Sequence, residues 1–125
     1  MEENKNKKNN PNVLADRLLD FAAEVIELTG LLPGFSVGKY ITGQLVRSGT
    51  SPGANYEEAC GAESRADFIH KMGIVLKELK ESRFWLKLIK RTKLIKINKV
   101  EPTLKECEEL CSIVAQSIIT ARGNK

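Results

Sequence analysis

Apolar residues recur along most of this chain at alternating spacings of three and four. Leu14, Leu18, Phe21, Val25 and Leu28 form the first such run, which places them on one stripe of a helix. Asn10-Pro11 marks its start, because proline lacks an N–H that the first turn would leave unbonded anyway. Gly30 and Pro33 end it. A second helix is predicted from Ser36, with Val37, Tyr40, Ile41 and Leu45 turned inward. Residues 48–53 (Ser-Gly-Thr-Ser-Pro-Gly) interrupt that pattern. Pro52 has no N–H for the Ser48 carbonyl, so a kink or a break is expected there, with helix resuming over 54–59. The longest helix is expected over 64–91. Ser64 with Asp67 resembles a capping box, and Phe68, Met72, Val75, Leu79, Leu86 and Ile89 run down one face. Residues 92–102 alternate apolar and basic side chains and read as a loop or a short extended piece. Thr103 with Glu106 repeats the capping signal after Pro102, and Cys107, Leu110, Val114, Ile118 and Ala121 form the last stripe before Gly123. Four helices with short links predict an all-α fold, an antiparallel up-down four-helix bundle whose second helix is kinked or broken near Pro52. The bundle domain is expected over 13–123, behind a disordered tail over 1–12.

Composition narrows the class. With 125 residues, 42% of them apolar and 29% charged, the chain suits one soluble domain with its own core. No run reaches the ~18 apolar residues of a membrane span, and the polar first twelve residues lack a signal-peptide core. A cytoplasmic protein with no membrane contact is expected. The three cysteines, Cys60, Cys107 and Cys111, fit reduced, buried thiols better than a disulfide framework.

Charge changes the picture more. The net charge is only +4, yet residues 77–99 hold nine basic and two acidic side chains. Such clustering favours a polyanion. A solvated helix face with a basic last turn accounts for the same residues, since the helix dipole favours cations there.

Candidate chemistry is sparse. Residues 49–53 match G-x-S-x-G, but a nucleophile elbow needs a strand before it and a helix after it, and here the preceding segment reads as helix. The single histidine, His70, excludes the Glu-x-x-His pairs of a di-metal bundle. Cys107 and Cys111 have the i, i+4 spacing of two ligands on one helix face. A closed zinc site needs four ligands, so packing is the favoured role. No enzyme activity, catalytic residue, metal or cofactor is expected. Ser51, Asn55 and Glu58 share a face if the helix continues through Pro52, with Arg47 one turn earlier. They read as a recognition site or, preferably, as a polar network that fixes packing or a subunit contact.

Residues 44–55 (Gln-Leu-Val-Arg-Ser-Gly-Thr-Ser-Pro-Gly-Ala-Asn) and 58–71 (Glu-Ala-Cys-Gly-Ala-Glu-Ser-Arg-Ala-Asp-Phe-Ile-His-Lys) carry a resemblance to a known family. With residues 76–81, Trp85 and Leu86, they resemble the bacterial four helix bundle proteins. These are also called S23 ribosomal proteins or intervening-sequence proteins of large-subunit ribosomal RNA. Arg47, Ser51, Asn55 and Glu58 fall on the family's R…S-x-x-x-N-x-x-E pattern, and Ser64, Phe68 and Glu81 on its next helix. Pro52 departs, standing where the family has an apolar residue. The resemblance implies an up-down bundle assembled as a ring-shaped homopentamer, and no established enzymatic activity. Some members are encoded within insertions in ribosomal RNA genes. A related branch, the accessory proteins of diversity-generating retroelements, forms basic pentameric barrels that bind nucleic acid and reverse transcriptase.

Two functions follow as expectations. The first is an oligomeric, non-enzymatic protein that binds RNA or another nucleic acid through phosphate contacts, with Lys87, Lys90, Arg91, Lys93, Lys96 and Lys99 as the binding residues. The second is a protein-interaction scaffold, because one bundle face cannot bury all of Phe84, Trp85, Leu94, Ile95 and Ile97, and tryptophan commonly anchors interfaces.

Overall fold

The computed structural model describes residues 11–123. It contains α1 (Pro11–Thr29), α2 (Ser36–Cys60), α3 (Arg65–Thr92) and α4 (Ile97–Ala121). Each helix packs on its sequence neighbours, and α1 also meets α4, so the four close into an up-down bundle. Short links over 30–35, 61–64 and 93–96 make consecutive helices antiparallel. Of the tail expected over 1–12, residues 1–10 lie outside the described residues, and Pro11 and Asn12 belong to α1.

The stripes read from the sequence form the core. Leu18, Phe21 and Val25 of α1, Leu45 of α2, Met72, Val75, Leu79, Leu86 and Ile89 of α3, and Val100, Leu110 and Val114 of α4 are fully buried. At ~25 cal/mol per Å² of apolar surface removed from water, such stripes are the main reason the helices associate. Ser64 caps α3 as its sequence suggests, its hydroxyl accepting from the Asp67 N–H at 3.0 Å.

Three local expectations are corrected. First, of the kink or break expected near Pro52, the break does not occur: α2 runs unbroken from Ser36 to Cys60. Pro52 is buried, and the residues before it are small because neighbouring helices press on them. A Cβ built on Gly49 would lie 2.9 Å from both Val25 methyls of α1, while Ser48 meets Ser82 of α3. Packing on two sides holds the helix through the one bond that proline removes. Second, residues 92–102 are not a loop: only 93–96 separate α3 from α4. The core stripe extends upstream through Val100 and Leu104. Pro102 removes only a bond to the Asn98 carbonyl, on an exposed first turn that water reaches. Third, Thr103 is not a cap. It is buried inside α4, and Glu106 instead takes both ends of the Arg17 fork, at 3.0 and 2.7 Å.

The α3–α4 turn is tight. Lys93 closes α3 in the left-handed region, with φ 60°. The link before α2 folds back as closely. A Cβ on Gly38 would stand 1.8 Å from the Pro33 carbonyl oxygen, so only glycine fits there.

Candidate nucleic-acid interface

The six basic residues singled out from the sequence do not form one patch. Lys87 and Arg91 lie on the outer side of α3, where they line a groove of about 340 Å³ with Lys80, Arg83, Phe84 and Leu88. Lys90 turns toward α4 and pairs with Glu101 at 2.6 Å. Lys93 and Lys96 sit exposed on the α3–α4 turn. Lys99 faces elsewhere, in a cleft with Glu24 and Glu27 of α1. Burial first, then repulsion from Glu106, Asp20 and Glu27, raises the Glu24 carboxyl above its usual range.

Lys80 and Arg83 were not among those six, although their spacing carries the signal. Positions 80, 83 or 84, 87 and 91 advance by one helical turn each, so their side chains stack along one face at about 5.4 Å intervals. No carboxylate lines this groove, unlike the surroundings of Lys90 and Lys99. The clean positive face is therefore shorter than the basic segment and begins one turn earlier.

Two of the groove cations, Lys80 and Arg83, also act on a pair of thiols on α4. Cys111 is held below its usual range, at about 7, by a hydrogen bond from Cys107; burial opposes this, and Arg83 and Lys80 add to it. The Cys107 thiol is pushed up, by that same hydrogen bond and then by burial. Cys107 Sγ also lies 3.3 Å from the Leu79 carbonyl, and its single S–H serves one acceptor at a time. Among the described residues no group of three or more His, Cys, Asp or Glu side chains is placed to hold a metal, and Cys60 is exposed, apart from the other two cysteines.

The four polar residues of the second helix separate as well. Arg47 does not bond to the other three. Its guanidinium spans to α3, meeting Glu78 at 3.0 Å and Glu81 as well. Glu81 also accepts from the Trp85 indole N–H at 3.1 Å. Asn55 donates within α2, to the Ser51 hydroxyl at 2.8 Å and its carbonyl at 3.0 Å. Glu58 approaches Lys71 at 3.8 Å. The Arg47 assembly ties α2 to α3 at the surface, beside an aromatic row in which Trp85 makes edge contacts with Tyr40 at 5.9 Å and Phe84 at 5.0 Å. A link missed from the sequence lies beneath it: Ser82 donates to Ser48 across the helix interface at 2.9 Å, both hydroxyls fully buried.

Of the apolar residues expected to exceed one bundle face, Ile95 is buried, Trp85 and Leu94 are half-buried, and Phe84 and Ile97 stand exposed. None of the described helices is long and apolar enough to cross a membrane.

The model of the 23S rRNA-intervening sequence protein family matches residues 13–116. The chain is also similar to a solved protein of unknown function from the S23 ribosomal protein family of Bacteroides thetaiotaomicron. The two share 38% identity and a TM-score of 0.79, over 85% of this chain and 98% of that one. No curated protein matches the chain.

Proposed function

Because the chain belongs to the 23S rRNA-intervening sequence protein family, we propose that it is a non-enzymatic, homo-oligomeric protein that associates with RNA through the outer side of α3. One observation carries this reading. Lys80, Arg83, Lys87 and Arg91 recur once per turn in a groove with no carboxylate in its lining. Such a stripe neutralises successive phosphates and reads little sequence. Assembly is supported by Leu19 and Ile26, two turns apart on α1 and more than half exposed, and a ring of subunits would repeat the stripe around its axis. A homopentamer, the assembly that the resemblance implies, is the state proposed.

The test is binding of labelled structured RNA by the native protein and by a Lys80→Glu/Lys87→Glu/Arg91→Glu variant, with light scattering to give the mass. Loss of RNA binding with unchanged mass supports the reading. Equal affinity in the two proteins refutes it. If the protein ignores RNA but captures one specific protein through Tyr40 and Trp85, it is a scaffold instead.

A further inference from the structure

The α3 groove contains more than charge. Phe84 stands between Lys80 and Lys87 with 57% of its surface exposed, and Leu88 lies beside it. Its ring is not loose. Trp85 holds it edge-on at 5.0 Å, with the planes 76° apart, and Trp85 is itself fixed through its N–H to Glu81. That leaves an ordered, exposed aromatic surface inside a row of cations about 16 Å long, from the eleven rises of ~1.5 Å between Lys80 and Arg91. We infer that this groove takes a single-stranded stretch of RNA, with its phosphates along Lys80, Arg83, Lys87 and Arg91 and one unpaired base stacked on Phe84. The inference rests on the RNA-binding reading above and adds the form of the nucleic acid.

The cations alone would accept a duplex as readily as a single strand. Phe84 decides between them. In a duplex the base faces are stacked on one another, and the deep, narrow major groove of A-form RNA admits no side chain. A duplex on this groove would press Phe84 and Leu88 against phosphates, desolvating charge without reaching a base. An unpaired base offers its ring face, and the alternation of cation and aromatic is how sequence-tolerant single-strand sites are built. Every base has such a face, so little sequence preference is expected.

The experiment is fluorescence anisotropy with a labelled single-stranded RNA of mixed sequence, the same RNA as a blunt duplex, and the matching single-stranded DNA. The proteins are the full native chain and its Phe84→Ala, Phe84→Trp and Lys87→Glu/Arg91→Glu variants, each checked for helicity by circular dichroism. Phe84 is exposed, so the substitutions leave the core intact. Phe84→Ala should weaken single-strand binding on the order of tenfold and leave duplex binding unchanged, while Phe84→Trp restores it. Comparable binding of single-stranded DNA also supports the groove, because stacking does not depend on the 2′-hydroxyl. Single-strand affinity within about twofold of native in Phe84→Ala, against the stacking contribution expected of one base, overturns the inference. So does an equal loss on the duplex. If Lys87→Glu/Arg91→Glu still abolishes binding in those cases, the RNA-binding reading survives alone. If that variant binds as the native protein does, both fall.

Discussion

The buried hydroxyl pair between α2 and α3 gives a prediction whose size depends on which partner is removed. Ser82 donates to Ser48 at 2.9 Å, and Ser48 has only a long contact of its own, 3.5 Å to the Leu45 carbonyl. Both side chains are fully buried. Ser82→Ala removes one hydrogen bond but leaves the Ser48 hydroxyl its contact with the Leu45 carbonyl, at a cost of about 1 kcal/mol. Ser48→Ala strands the Ser82 hydroxyl in the core without its acceptor, which costs about 1–3 kcal/mol. The double variant strands nothing and replaces two serines with a better helix former, so it should lie within about 0.5 kcal/mol of native or above it. The two changes are therefore strongly non-additive. Urea unfolding followed by helical circular dichroism measures this, with protein concentration held fixed because assembly shifts apparent stability. The reasoning is refuted if Ser48→Ala costs no more than Ser82→Ala, or if the double variant shows the sum of the single losses.

Two further outcomes follow from close contacts and from charge. Gly38→Ala sets a Cβ 1.8 Å from the Pro33 carbonyl; with backbone on both sides of the clash it should cost at least ~3 kcal/mol, beyond what ordinary substitutions do, and a thermal midpoint within ~2 °C of native would contradict the tight link. With iodoacetamide and mass spectrometry, exposed Cys60 should be modified first. Cys111, whose thiol is lowered to about 7, should react slowly at a rate that levels off above that pH, because its thiolate is already formed. Cys107 should resist until unfolding. A Cys111 rate still climbing tenfold per pH unit above pH 8 contradicts the influence assigned to Cys107, Arg83 and Lys80.

The helices were legible because their stripes repeat many times. Leu18, Phe21 and Val25, or Met72, Val75 and Leu79, each add weight to one face, and Ser64 capped where local chemistry said it would. What failed were signals that tertiary contacts override. Pro52 is a helix breaker by itself, but not where Gly49 packs on Val25 and Ser48 meets Ser82, and Glu106 suggests a local cap although its partner, Arg17, lies on another helix. The candidate site followed the same rule. The basic excess of residues 77–99 was visible, but counting charge along the chain groups Lys90 and Lys99 with Lys87. Only the fold shows that Glu101 pairs with the first and that Glu24 and Glu27 flank the second. Lys80 and Arg83 share the turn-by-turn phase of Lys87 and Arg91, so helical phase is a better guide to a binding face than linear density.

RNA association through α3 is tested most directly by the salt dependence of binding. For single strands the slope of log K against log salt is about −0.7 per phosphate neutralised, so a protomer engaging all four groove cations should give about −3. Replacing Lys87 and Arg91 by alanine should reduce the magnitude of that slope by about 1.4 per engaged protomer, whereas replacing Lys90 and Lys99, which lie against carboxylates, should barely change it. Identical slopes for the native protein and the Lys87→Ala/Arg91→Ala variant would contradict the account.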